Sequence, residues 1–262
     1  MKNNKKQKYI NFLLFLSYPL IASLVSFRFG VNALFSTIVF YGIPAIYLCY
    51  KKPSFIKKAL LFSTLSIPVM IVVDYIAELT GTWVWPIPTS IFPKLFGYVS
   101  FEVILWAYLH CFVVVMFYEY FFDKRTRCKL IYPREKSLLL LSLSTLGVFL
   151  LFLFFSQTPL FVPYWYFIFS LIFIIPPVVF EGYKFPKVFL RLVKASAYFL
   201  YLNLVYELTA LRIGWWSFPS KQYIGWVSFF NISFPFEEFF FWIILFTLAA
   251  LSYYEYFFDR EV

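Results

Sequence analysis

The chain has little charge. Of its 262 residues only 14% are Asp, Glu, Lys or Arg, while 62% are hydrophobic and the mean hydropathy is +0.78. A water-soluble domain rarely approaches those values, so the composition excludes an ordinary soluble enzyme and fits a polytopic membrane protein. Histidine is nearly absent: His110 is the only one, it sits mid-helix, and no metal partners surround it in sequence. A hydrogen bond between helices is its expected role. The three cysteines, Cys49, Cys111 and Cys128, have neither a metal-binding nor a CxxC spacing, and they imply no disulfide framework. No GxGxxG occurs, so no nucleotide cofactor is implied, and no metal is implied either. Acids are scarce as well, 13 against 23 Lys and Arg. The net charge of +10 does not signify nucleic acid, because the basic residues alternate with apolar spans and form no patch interleaved with aromatics.

Apolar runs and aromatics are what the chain has in abundance. A window of about 20 apolar residues crosses the hydrocarbon core. On that measure helices are expected near 9–27, 31–50, 59–79, 99–122, 137–155, 163–181, 193–211 and 236–258. Met1 to Lys8 resembles the charged region of a signal peptide, but no small-residue cleavage site follows, so the first run reads as a membrane helix. Nineteen of the 23 basic residues fall at the N-terminus, in the even-numbered connections and at Arg260. Only Arg28, Lys94, Arg212 and Lys221 fall on the other side. The positive-inside rule therefore places both termini in the cytoplasm of a cell-membrane protein.

The two halves echo one another. Pro44 and Pro177, Pro53 and Pro186, and Asp74 and Glu207 are each 133 residues apart. Tyr118 to Asp123 (YEYFFD) recurs letter for letter as Tyr254 to Asp259, and counting back from it sets Glu102 against Glu238 and Trp106 against Trp242. The expected architecture is an all-α polytopic membrane protein of about eight transmembrane helices in two parallel four-helix repeats. Residues 1–123 and 137–262 form the repeats, and a basic cytoplasmic linker joins them at 124–136.

The few acids then acquire a place. Asp74, Glu78 and Glu207 fall towards the outer ends of the third and seventh helices, and Glu102, Glu237 and Glu238 at the outer starts of the fourth and eighth. Arg212 is the only cation expected nearby. Carboxylates beside so much apolar surface are costly, so some of these acids are expected to hold a proton and to serve as acid/base groups. The competing reading is that they cap helix starts in interfacial water. Glu237 and Glu238 are about 100° apart on a helix, so one faces a pocket while the other pairs elsewhere. Glu119, Asp123, Glu255 and Asp259, beside basic connections, read as surface charge pairs and interfacial anchors. Most of the 67 aromatics read as lipid-facing bulk and interface belt. The outer connections 80–98 and 212–235, with Trp83, Trp85, Pro86, Pro88 and Pro93 and then Trp215, Trp216, Phe218, Pro219 and Trp226, read as lids or re-entrant turns. Aromatic rings around paired acids suit a carbocation.

At Asp74-x-x-Ala77-x-x-x-Gly81-x-Trp83, its echo Glu207-x-x-Ala210-x-x-x-Gly214-x-Trp216, and Pro235-x-Glu237-Glu238, the chain resembles the membrane lycopene cyclase domain family, in its tandem form. The first half reads Val99-Ser100-Phe101-Glu102 where that family pattern has Pro-x-Glu-Glu. The resemblance implies cyclisation of the end group of a lycopene-type carotenoid through a carbocation, without net redox change or cofactor. It implies catalysis by Glu237 and Glu238 with Glu102, Asp74 and Glu207, and a pocket shaped by Trp83, Trp106, Trp216 and Trp242. The partners implied are a lipid-soluble carotenoid, the membrane and other carotenoid-pathway enzymes, with no nucleic acid. A proton-coupled transporter and a non-enzymatic membrane scaffold are the rival classes. The orientation has its own test: a reporter that is active only in the cytoplasm, fused after Val262, should be active, and the same reporter inserted in the 80–98 connection should be silent.

Overall fold

The computed structural model describes residues 2–86, 91–123, 134–156 and 158–259, with side chains from residue 6 onward. Most of the expected linker, including Lys124, Arg125, Arg127, Lys129 and Cys128, lies outside the described residues, as do Pro88 and Arg260. Eight helices are long and apolar enough to cross a membrane. They are α1 (Lys2–Phe29), α2 (Ala33–Lys51), α3 (Pro53–Thr80), α4 (Phe101–Phe121), α5 (Glu135–Phe155), α6 (Trp165–Lys184), α7 (Pro186–Ile213) and α8 (Glu238–Asp259). These are the eight spans expected from the apolar windows, with ends displaced by up to seven residues.

Their ends follow local chemistry. Pro53 and Pro186 open α3 and α7, where a missing N–H costs nothing. Gly81 (φ 68°) and Gly214 (φ 84°) close the same two helices in the left-handed conformation that glycine adopts without penalty. Beyond them the chain folds back over the helix ends. Val84 and Ser217 pair across these two connections, with N–H···O distances of 2.9 and 3.0 Å. One further feature at this end of the bundle is not helical. Strands β1 (Trp226–Phe229) and β2 (Ile232–Pro235) form an antiparallel hairpin, turned by Phe230 and Asn231 at positive φ. The Val-Ser-Phe and Ile-Ser-Phe alternation flanking Asn231 was its signal, but strands of four residues are too short to stand out beside 20-residue helices.

α4 and α8 sit at the centre. In their most apolar stretches 67% and 61% of residues are buried, against 11% in α5, which faces outward. Their contacts with each other are largely aromatic: Trp106 lies 6.0 Å from Trp242 and from Phe246, and Tyr118 lies 6.5 Å from Tyr254. Phe117 stacks at 4.5 Å on Tyr198 of α7. A large share of the aromatics is thus interior packing, not the lipid belt expected from composition.

At the end of the bundle away from the hairpin, the acids expected at the surface are buried. Glu119 is 0% and Glu255 2% exposed, and Asp123 and Asp259 are nearly as enclosed. Their bonds cross between the halves. The Tyr118 hydroxyl donates to Glu255 and the Tyr254 hydroxyl to Glu119. Lys58 of α3 pairs with Asp259 and lies 3.5 Å from Glu119, while Arg191 of α7 lies 3.3 Å from Asp123. The surface reading fails because adjacency to basic connections cannot reveal that the two copies of YEYFFD face each other and shut out water. Carboxylate oxygens of Glu119, Asp123 and Asp259 come within 4.8 Å of one another, a spacing that needs a cation, and Lys58 supplies one. Lys58→Met should therefore cost roughly 3–5 kcal/mol, since it strands buried carboxylates. It should lower the unfolding temperature in detergent, and the double variant Lys58→Met/Asp259→Leu should recover part of the loss.

Candidate active site

The site is built at the hairpin end, from the last turns of α3 and α7 and the first turns of α4 and α8. In each half an acid two turns inside the helix is met by a tryptophan nine residues on, because the left-handed glycine returns the chain over the helix end. Trp83 Nε1 donates to Asp74 Oδ1 at 2.7 Å, and Trp216 Nε1 donates to Glu207 Oε1 at 3.0 Å.

The halves then diverge. The second oxygen of Asp74 accepts the backbone N–H of Ser100 at 2.9 Å, so Asp74 is saturated and anchors the start of α4. The corresponding position before α8 is Pro235, which has no N–H to give. The proline of the Pro-x-Glu-Glu element thereby leaves Glu207 without the second tie that immobilises Asp74.

The contacts also correct the pairing of the glutamates. Glu102 accepts the N–H of Ile91 at 2.7 Å, and Glu237 accepts the N–H of Ile224 at 2.7 Å, donors that are themselves 133 residues apart. Glu237, not Glu238, thus makes the contact that Glu102 makes, and Glu238 falls opposite Val103. The count back from YEYFFD misassigns them by one residue because α8 begins with a π-helical stretch, Glu238–Leu245, where wider turns absorb an extra residue. Glu237 and Glu238 do diverge as the helix geometry requires: Glu237 turns to a loop amide and Glu238 turns inward.

Glu207 and Glu238 line one pocket, of about 70 Å³ open to water-sized spheres, walled by Trp83, Trp106, Trp216 and Trp242. Val103 lines it as well. Asp74, Glu102 and Glu237 are not among its lining residues. The rings form a connected cage. Trp83 lies 5.4 Å from Trp242 and Trp85 lies 5.1 Å from Trp216. The indole N–H of Trp242 has no hydrogen-bond partner among the described residues.

Four polar side chains in this pocket, Tyr41, Tyr166, Asn203 and Tyr206, escaped the sequence reading. The Tyr166 hydroxyl donates to Glu238 Oε2 and its ring lies 5.1 Å from Trp83. Tyr41 donates to Asn203 Oδ1 at 3.1 Å, beside Glu207 in the lining. Nothing marks Tyr166 among 21 tyrosines except its position at the start of α6. The first-half counterparts at the start of α2 are Ala33 and Leu34, which have no hydroxyl.

Glu78 is an anchor. It accepts the N–H of Trp85 at 2.8 Å and pairs with Lys94 at 2.8 Å, tying down the 80–98 connection. Lys94, which the sequence reading did not expect near the acids, is thus a cation beside them, because the connection folds back far enough to bring it there. His110 meets Thr247 of α8 at 3.2 Å, as its helical position suggested.

Models of known protein families, curated proteins and solved structures were all compared with the chain, and none matches it.

The two tryptophan-held acids should respond differently to replacement. Asp74→Ala removes two hydrogen bonds to a buried acid, worth roughly 1.5–3 kcal/mol each if charged, and should lower the unfolding temperature markedly. Glu207→Gln keeps an acceptor for Trp216 and should leave that temperature within about 2 °C of the parent. Thermal scans of both variants in the same detergent make the comparison.

Proposed function

We propose that the chain is a carotenoid end-group cyclase of the lycopene type, acting by carboxyl acid/base chemistry inside the membrane through a carbocation, without redox change. The observation that carries this reading is one pocket holding two carboxyl groups, Glu207 and Glu238, within a wall of tryptophans. One carboxyl would give its proton to a terminal double bond of the apolar chain. The neighbouring alkene would attack the resulting cation and close the ring, and the other carboxylate would remove a proton, so that protons and electrons balance. Ring faces attract a cation without trapping it covalently, which suits Trp83, Trp106, Trp216 and Trp242 to this task. Tyr166 orients Glu238, Trp216 orients Glu207, and both acids sit where bulk water does not compete.

On this reading Asp74, Glu102 and Glu237 hold backbone in place and do not exchange protons with substrate. Matched contacts within the two halves, Trp83 with Asp74 beside Trp216 with Glu207 and Ile91 with Glu102 beside Ile224 with Glu237, support two parallel four-helix repeats, and the distribution of Lys and Arg supports cytoplasmic termini. The first repeat then serves as a closed counterpart that lends Trp83 and Trp106 to a single site. A proton-coupled transporter finds less support, because rings of Trp106, His110, Phe246 and Phe199 pack together between the pocket and the Lys58 cluster.

Expression in lycopene-accumulating cells tests the reading. The parent should yield a cyclic carotenoid, and Glu238→Gln and Glu207→Gln should each lower its formation by about 10²–10⁴, the usual range for general acid/base groups. Glu237→Gln should lose far less. Accumulated lycopene left untouched by the parent, or full activity in Glu238→Gln, would overturn it; tolerance of every neutral replacement is the scaffold's signature.

A further inference from the structure

A second cavity lies deeper in the bundle, between α3, α4, α5, α6 and α8. It is about 130 Å³ open to water-sized spheres, against about 70 Å³ in the acidic pocket. Small side chains, Ala107, Ala249 and Ala250 among them, leave this space.

The polar atoms in its lining are turned away. The Ser66 hydroxyl donates to Ser63 O at 2.7 Å, Ser142 donates to Leu65 O at 2.6 Å, and the Tyr253 hydroxyl donates to Phe173 O at 3.0 Å. The three hydroxyl protons are thus spent on backbone carbonyls and most of the remaining lining is hydrocarbon, so the cavity suits an apolar occupant.

The two spaces adjoin. Met70 lines both. Trp242 of the acidic pocket stacks on Phe169 at 5.7 Å and on Phe246 at 4.7 Å, and both of those rings line the second cavity. One flexible methionine and a stack of rings therefore stand where the two spaces meet. The lining also includes Leu141, which is 45% exposed on α5, the least buried of the eight apolar helices.

We infer that the second cavity holds the hydrocarbon tail of the ligand whose reacting end lies against Glu238, with the tail passing Met70 and leaving for the bilayer beside Leu141. The inference rests on the proposed function for its reacting end. The cavity itself requires only a long, linear, wholly apolar chain. Met70 and Ala249 then set how thick a tail is admitted, and Leu141 marks the mouth.

The test uses the full chain in lipid nanodiscs and a linear polyisoprene hydrocarbon carrying a diazirine at one end. After photolysis and digestion, adducts should concentrate on the α6 and α8 peptides that contain Phe173 and Ala249. Ala249→Phe fills the cavity and should lower that labelling about tenfold. Leu141→Trp, at an exposed position that tolerates bulk, should also lower it and guards against a folding failure of the first variant. Adducts spread evenly over the lipid-facing helices, or labelling unchanged in either folded variant, would overturn the inference. Glu238→Gln separates the two readings. Labelling retained with cyclisation lost supports both, whereas labelling retained with cyclisation intact leaves the tail cavity standing and removes the proposed function.

Discussion

A carboxyl group enclosed among apolar helices must be met by a donor, a cation or a proton, and the rest of this structure is arranged around that demand. The kind of answer an acid receives sorts these acids by role. Asp74 is met by an indole and a backbone N–H, Glu78 by Lys94, Glu102 and Glu237 by loop amides, and Asp259 by Lys58. Those acids hold chain segments together. Only Glu207 and Glu238 combine a lighter attachment with a place in an aromatic pocket.

The two ends of the bundle use near-matching halves to opposite effect. At one end the copies of YEYFFD exchange tyrosine–glutamate bonds reciprocally, and the cations Lys58 and Arg191 cross to acids of the other half. Symmetry there serves cohesion, because each half completes the other's hydrogen bonds. At the hairpin end a few differences break the match. Proline replaces Ser100 and withdraws a donor, glutamate replaces Val103 and adds an acid, and Tyr166 adds a hydroxyl where α2 has alanine and leucine. Each change is small. Together they account for a pocket whose carboxyl groups both come from the second half while its aromatic wall comes from both.

The sequence by itself determined the eight spans, the recurrence of the halves and the short roll of acids among apolar helices, because hydrophobic length and residue identity are local properties that survive without coordinates. It also showed that Glu237 and Glu238 must point apart, since the helix angle alone demands it. Only the tertiary structure decided which acid meets which donor. The π-helical stretch at the start of α8 shifts the register by one residue, and a letter count cannot detect that. The burial of Glu119 and Glu255 required the halves to face each other. Tyr166 became visible only once α6 lay against α8. These are long-range contacts, between residues 72 to 137 positions apart, and distance along the chain carries no record of them until the bundle closes.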